Sequence, residues 1–322
     1  MIRLAWRQMR LPASSTALLL GLLITTLILT RQSMTAFMHT SGLTDCLARN
    51  GSNCNQIIGQ FTHRYAAWND IVYALGFTPV LVGLFWGAPL IAREVEQGTH
   101  RLAWTQSISR SRWLTVRLGL YLICALALGA LLTWLFTWWS GPLFHLEPDS
   151  YNNIQPQVFE SRGIILAVNT CYAFALGTAA GAVIRRTVPA MGVAAAGYFA
   201  DRTFFVLERS HLLPPHSITV PFGQFPSKTL DPAWVLDDNV IDSTGHRSNL
   251  QAIAAACQTT RQPSRGFTAL APCANAHGFR DVITYQPLSR FWPLQFAESG
   301  ILIGLALLLL AVAYWWTLRR IS

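Results

Sequence analysis

The chain has 322 residues, of which 52% are hydrophobic and only 12% are charged. Soluble domains usually carry about a quarter charged residues, so this composition argues against a soluble enzyme or binding domain. The formal net charge of +9 comes almost entirely from arginine, because Lys228 is the only lysine. The arginines lie in short segments beside long apolar runs, which is typical of a protein in the lipid bilayer and argues against a nucleic-acid partner.

Long apolar runs predict the membrane spans in chain order. A bilayer core about 30 Å thick requires roughly 20 apolar residues at about 1.5 Å per helical residue. The runs that meet this length are 14–30, 70–92, 113–139, 163–184, 187–207 and 296–317. Pro79 predicts a kink in the second span. The sequence therefore predicts an all-α integral membrane protein with six transmembrane helices.

The segment before the first span predicts an amphipathic helix that lies in the membrane interface. An arginine stripe and a neighbouring apolar stripe with Trp6 run along it, as expected for an interfacial helix. The basic and aromatic positions of these stripes are Arg3, Trp6, Arg7 and Arg10. Pro12 is predicted to separate this helix from the first span. A simple positive segment that anchors the span is the alternative.

This pattern divides the chain into four parts. The interfacial helix occupies 1–12, and the first five spans occupy 13–207. A loop at 208–295 is too long for a simple connector and predicts a small extracellular cap. The last span and a short tail occupy 296–322.

The distribution of arginine predicts the orientation of the spans. Placing both termini in the cytoplasm puts most arginines of the short connections on the inner side, as the positive-inside rule requires. These inner arginines are Arg3, Arg7, Arg10, Arg93, Arg101, Arg110, Arg112, Arg185, Arg186, Arg319 and Arg320.

Four cysteines fall in the two loops that this orientation places outside, where disulfides form. Pairing within each loop closes short rings and predicts Cys46–Cys54 and Cys257–Cys273. Pairing between the loops is the alternative, since four cysteines allow three connectivities. A zinc site that uses Cys273 and His277 is less favoured, because the spacing lacks a CxxC partner.

Two adjacent charged residues, Asp201 and Arg202, interrupt the fifth span. Ionisable residues in a span are costly and often functional. One interpretation is a charged lining at the outer mouth of a transport pathway, where they contact cargo. The alternative is snorkelling toward the interface together with a local ion pair at the helix end.

The sequence lacks the motifs of common catalytic sites. The only lysine follows Phe225-Pro226-Ser227, so no glycine-rich loop ending in Lys-Ser or Lys-Thr is present. Gly-x-Ser-x-Gly and His-Glu-x-x-His are also absent. We therefore predict no catalytic residue, no metal site and no ATP hydrolysis by this chain.

The connection between the second and third spans carries the most informative motif. It reads Arg93-Glu94-x-Glu96-x-Gly98-Thr99 and continues through Trp104-Thr105-Gln106-Ser107-x-Ser109-Arg110. Glu94 and Glu96 are costly at the inner boundary unless they pair within the chain, with Arg93, Arg110 or Arg112, or face a partner protein.

This motif resembles the permease subunits of type-2 ATP-binding-cassette exporters, most closely those of actinobacteria. Further segments that share the resemblance are the arginine-rich N-terminal helix, Arg185-Arg186-Thr187-x-Pro189-Ala190-Met191 and Ser289-Arg290-Phe291-Trp292-Pro293-x-Gln295. The order of these motifs across six spans is more specific than any one of them.

The resemblance implies a permease in a bacterial plasma membrane that pairs with a second, identical or related permease and binds two separate ATPase subunits. ATP and Mg²⁺ would bind to the ATPase, and this chain would need no cofactor. The interfacial helix and the loop after the second span would dock on the ATPase. The residues expected to couple ATP hydrolysis to the spans are Glu94, Glu96, Gly98, Thr99 and Arg101.

Two other functions stay open at this point. One is a membrane-embedded enzyme such as a lipid-modifying transferase, and the other is an immunity or sensor protein that does not transport. The identity of a cargo does not follow from the residue types in the spans.

Overall fold

A computed structural model describes residues 2–48, 54–65, 76–97, 109–142, 154, 156–224, 233–257 and 270–320, with the side chains of 2–13, 15–16, 47–48 and 156–157 outside that description. The chain divides into two compact units. The first, here called the helical unit, comprises the described residues of 1–147, 156–207 and 295–322, and the second, the sheet unit, comprises those of 148–155 and 208–294.

The helical unit consists of helices in chain order. Their bounds are α1 (Ile2–Thr40), α2 (Leu43–Ala48), α3 (Cys54–Tyr65), α4 (Thr78–Val82), a π-helical turn (Gly83–Gly87), α5 (Ala88–Glu96), α6 (Arg110–Trp139), α7 (Pro156–Phe159), α8 (Ile165–Ile184) and α9 (Thr187–Glu208). The backbone of α1 is helical across Pro12, so the predicted helix break there is wrong. The interfacial position of residues 1–12 stays a prediction.

Among the described residues, four helical stretches are long and apolar enough to cross a membrane. They are Ala17–Thr40, Arg110–Trp139, Ile165–Ile184 and Leu288–Arg320, which correspond to the first, third, fourth and sixth predicted spans. The fifth predicted span corresponds to the 22-residue helix α9, whose polar residues make it less apolar than these four stretches. Of the second predicted span, residues 70–75 lie outside the described residues. Helix α4 begins just before Pro79, which lies in its first turn, so no helix runs through Pro79 with a kink.

Helix α8 packs at the centre of the helical unit, and most of its span is buried. Its buried face is rich in alanine, glycine and threonine, small residues that allow two backbones to approach closely. A Cβ atom on Gly177 would overlap the carbonyl oxygen of Gly83, and one on Gly181 would overlap that of Ala88. The reverse contacts are equally tight, because a Cβ on Gly83 would lie 2.6 Å from the carbonyl oxygen of Ala173.

The segment that packs on α8 leaves α-helical geometry for one turn. In the π-helical turn the N–H of Ala88 donates to the carbonyl of Gly83, five residues earlier. Such turns are rare and are found frequently at functional sites. Here the turn coincides with the glycine contact, since Gly83 and Gly87 both lie against the backbone of α8.

The hydrogen bonds at each end of the helical unit join segments that are predicted to lie on the same side of the membrane. At one end the Arg185 guanidinium donates to the Arg320 carbonyl over 2.8 Å. At the other end the Trp139 indole donates to the Thr30 hydroxyl over 3.0 Å, and Arg162 donates to the Ser140 hydroxyl over 3.1 Å. This grouping agrees with the predicted relative topology, while the side of the membrane that each end faces stays a prediction.

The sheet unit corrects the all-α prediction, because it contains a four-stranded antiparallel sheet. Its strands are β1 (His216–Pro221), β2 (Ala233–Ile241), β3 (Arg247–Ser248) and β4 (Arg280–Pro287), in the order β1-β4-β2-β3. Two short helices, α10 (Leu250–Ala256) and α11 (Ala271–Ala276), lie between β3 and β4 in the chain, and α12 (Phe291–Arg320) follows. Ile283 and Tyr285 of β4 pack with Ile218 and Val220 of β1, so the alternating apolar residues form one buried face.

Both predicted disulfides are confirmed, Cys46–Cys54 and Cys257–Cys273. The second joins the C-cap of α10 to the middle of α11, beside a small core that contains Ile253 and Ala274. Cys257, Cys273 and His277 lie close together, but both sulfurs are oxidised in the disulfide. Since zinc binds thiolates, this geometry disfavours the zinc interpretation.

The glycine contact generates a stability prediction. Gly177→Ala should cost about 3 kcal/mol or more, because its Cβ meets a backbone oxygen that no rotamer change can move. Gly192→Ala in α9 is the matched control, since a Cβ there has no atom within 4 Å. Thermal unfolding of the purified protein in detergent measures both. Equal stability of the two variants would contradict the close packing.

Candidate functional site

The first glutamate of the motif, Glu94 in α5, forms an ion pair with Arg117 in α6. The Arg117 side chain is nearly buried, and its guanidinium also lies over the Trp113 ring at 5.0 Å from the centroid. Sequence reasoning missed Arg117, which lies inside the predicted third span. This pair joins the end of the second-span helix to the beginning of α6.

The second glutamate, Glu96, binds the N-terminus of α9. One of its carboxylate oxygens accepts hydrogen bonds from the Thr187 hydroxyl at 2.7 Å and from the Thr187 backbone N–H at 3.2 Å. A carboxylate is favourable here because the first N–H groups of a helix lack partners and carry partial positive charge. These two hydrogen bonds are the main causes that lower the pKa of Glu96; desolvation opposes them, and the nearby Arg186 charge adds a smaller lowering effect.

Together the two contacts define the inner junction, made of Glu94, Glu96, Arg117 and Thr187. The two glutamates lie two positions apart on α5, on nearly opposite sides of the helix, and are held to two different helices, α6 and α9. Gly98, Thr99 and Arg101 of the predicted coupling set lie outside the described residues. The same is true of the side chains of Arg3, Trp6, Arg7 and Arg10. The inner junction thus attaches the end of α5 to α6 and to the N-terminus of α9.

A second polar cluster, the Arg202 cluster, lies toward the predicted outer end. Arg202 is 8% exposed and forms ion pairs with Glu160 and with Glu298, whose side chain is fully buried. The distance from the Arg202 Nη1 atom to the Glu298 Oε1 atom is 3.2 Å. The expected alternative, snorkelling with a local ion pair at the helix end, is not found, because Arg202 is buried and its partners are distant in the chain.

The neighbouring Asp201 is less buried than Arg202 and lies beside Tyr172 of α8. One of its carboxylate oxygens is buried without a hydrogen-bond partner in the described part of the chain. The two charged residues of the fifth span thus have different surroundings. Contact with cargo stays a prediction for both.

Gln295, the last residue of the motif that begins at Ser289, holds two segments together through its side-chain amide. Its side-chain oxygen accepts from the backbone N–H groups of Ile164 and Ile165, both at 3.0 Å. Its side-chain nitrogen donates to the carbonyl groups of Phe159 and Arg162 at 3.0 and 3.1 Å. The side chain therefore caps the N-terminus of α8 and fixes the beginning of the membrane part of α12 against it.

A comparison with protein families places these features in context. A family profile described as ABC-2 membrane transporter related matches residues 17–209, which is more than half of the chain. The chain belongs to the ABC-2 membrane transporter related family. Neither a curated protein nor a solved structure matches it.

Family membership is consistent with an ABC-2 type permease, a multi-pass membrane component that is generally non-catalytic and that associates with an ABC ATPase. The matched region includes the whole inner junction and Arg202, whereas Glu298 and Gln295 lie beyond it. Arg117 and Glu298 could have been found from the sequence, because each is an ionisable residue inside an apolar run. Sequence reasoning did not use that signal at these two positions. It also missed Glu160 and the role of Thr187.

The Arg202 cluster generates a prediction on stability. Arg202→Met should destabilise the protein by about 3–5 kcal/mol, because it leaves the buried Glu298 carboxylate without its guanidinium partner. Adding Glu298→Gln should recover part of that loss. Arg93→Met is the matched control, since Arg93 is exposed. Denaturation in detergent measures the stabilities of these variants. An Arg202→Met variant as stable as the Arg93→Met control would refute the prediction.

The Glu96 contact generates a prediction on pH. A lowered pKa in the folded state means that the ionised Glu96 stabilises the fold above its unfolded pKa of about 4.3 and loses that effect as the pH falls through the folded value. Glu96→Ala should therefore lower the unfolding temperature at pH 7, and the difference from wild type should shrink below about pH 4. Thr187→Ala should lower the unfolding temperature by a similar amount. The double variant should be little less stable than either single variant, because both changes remove the same contact.

Proposed function

We propose that the chain is the transmembrane permease subunit of an ATP-binding-cassette exporter. Separate ATPase subunits, two per transporter, would bind and hydrolyse ATP with Mg²⁺, and the spans would move an amphipathic or hydrophobic substrate outward. The observation that carries the proposal is the inner junction, since the motif that resembles exporter permeases is attached to the beginnings of two helices.

The inner junction supports a mechanism of coupling by rigid attachment. An ATPase that displaces the loop after α5 would shift Glu94 and Glu96, and these would carry α6 and α9 with them. Both contacts involve a charged group, and hydrogen bonds to charged groups are stronger than neutral ones. The junction is therefore suited to transmit a movement without breaking.

The proposal places the protein in a bacterial plasma membrane with six spans and both termini in the cytoplasm. A second permease, identical or related, would complete the pathway. The inner junction supports this orientation, because the arginine-rich connections at Arg185, Arg186, Arg319 and Arg320 belong to the same end as Glu96 and Thr187. The sheet unit would then form the extracellular cap.

Charge reversal at Glu94 tests the coupling role. Glu94→Arg breaks the pair with Arg117 and should reduce substrate-stimulated ATP hydrolysis in the assembled transporter by tenfold or more, on the order of one lost charged contact. The double variant Glu94→Arg/Arg117→Glu restores a pair of opposite polarity. If Glu94 acts by attaching α5 to α6, the double variant recovers activity. If it contacts the ATPase directly, the double variant stays inactive and its ATPase association stays weak.

Association with an ATPase separates this proposal from the other functions. The tagged chain, purified in mild detergent with its genomic neighbours co-expressed, should bring along a soluble subunit with a phosphate-binding loop that hydrolyses ATP. Transport into inverted vesicles should then require ATP. A chain that purifies alone and gains no activity from any neighbouring ATPase would favour the membrane enzyme or the immunity function instead.

A further inference from the structure

A groove runs between α1 and α6 toward the predicted outer end of the helical unit. Its lower part, a cavity of about 370 Å³, is lined mainly by apolar and aromatic side chains, including Ile24, Ile28, Trp134 and Leu135. From Ile24 to Thr35 it follows twelve residues of helix, whose eleven steps span about 16 Å. Trp134 is 62% exposed and Ile28 is 39% exposed, so this part opens toward the bilayer.

The upper part of the groove carries several polar side chains among apolar ones. A second cavity of about 210 Å³ shares Arg31 and Thr35 with the first and adds His39 and Thr44 to its lining. None of the described residues that line either cavity is acidic. The two cavities thus share Arg31, a basic side chain in a lining that is otherwise largely apolar.

Arg31 is held in place at that junction. Its guanidinium lies over the Trp138 ring at 4.5 Å from the centroid and donates to the Trp138 carbonyl. A guanidinium has five N–H groups, and the hydrogen bond that the structure describes uses one of them. Tryptophan side chains concentrate at headgroup depth in membranes, which places Arg31 where lipid phosphates lie.

We propose that this groove binds one anionic phospholipid, with an acyl chain between α1 and α6 and the phosphate on Arg31. Charge complementarity selects the headgroup, because a planar guanidinium binds phosphate oxygens with two parallel hydrogen bonds. The length and apolar lining of the lower cavity accommodate a chain that a free phosphate lacks. A bound lipid would bridge α1 and α6 in addition to the Thr30–Trp139 hydrogen bond.

Lipid titration of the delipidated protein in nonionic detergent tests the proposal. Phosphatidylglycerol should raise the unfolding temperature more than phosphatidylcholine with the same acyl chains, and native mass spectrometry should show one retained lipid. Arg31→Gln should weaken binding of phosphatidylglycerol about tenfold, as expected for one lost charge-assisted contact. Arg64→Gln is the matched control, an arginine that also stacks on an aromatic ring, Phe37, but lies outside the groove.

A second variant keeps the test decisive if Arg31→Gln fails to fold. Ile28→Trp fills the apolar cavity and leaves Arg31 on Trp138, and it should also weaken binding of phosphatidylglycerol. If both lipids raised the unfolding temperature equally, the proposed role of the anionic headgroup would be overturned. If inorganic phosphate alone raised it as much as phosphatidylglycerol, the proposed binding of a lipid would be overturned. Loss of binding in Arg64→Gln to the same degree as in Arg31→Gln would overturn the groove as the site.

Discussion

The close packing of α8 against the second-span helix is the constraint on which the rest of the helical unit depends. Glycines on both sides remove the side chains that would keep two backbones apart, so that Gly177 and Gly181 face the carbonyls of Gly83 and Ala88. Association of helices within lipid has little hydrophobic driving force, and close packing supplies van der Waals contact instead. Helix α6 joins the same centre, where a Cβ on Gly129 would lie 2.6 Å from the Cα atom of Ala167.

The charged residues of the helical unit are arranged around this apolar centre. Glu94 and Arg117 pair at one end, and Arg202 pairs with Glu160 and Glu298 toward the other. A buried charge is expensive unless it is paired, so each of these arginines fixes the helices that carry its partners. The pairs therefore specify which helix ends lie together, while the glycine contact holds the middle.

The sequence predicts those parts of the structure that depend on local composition. Apolar length identifies the spans, and the positions of Cys46, Cys54, Cys257 and Cys273 in loops predict both disulfides. Pairings between distant segments do not follow from composition, which is why Glu298 was missed as the partner of Arg202. The sheet was missed although residues 216–221 and 280–287 alternate in the manner of strands, because the loop was interpreted only by its length and cysteines.

The inner junction and the outer polar cluster are connected through one helix. A shift of α5 at Glu94 and Glu96 would act on α8 through the glycine contact, where Gly83 and Gly177 bring the two backbones together with no side chain between them. The far end of α8 is capped by Gln295 of α12, three residues before Glu298. The π-helical turn lies between the inner junction and that far end, and a turn with altered hydrogen bonding is where a helix most readily bends. Movement at the inner end would thus either pass to α8 through the glycine contact or be absorbed by bending at Gly83–Gly87.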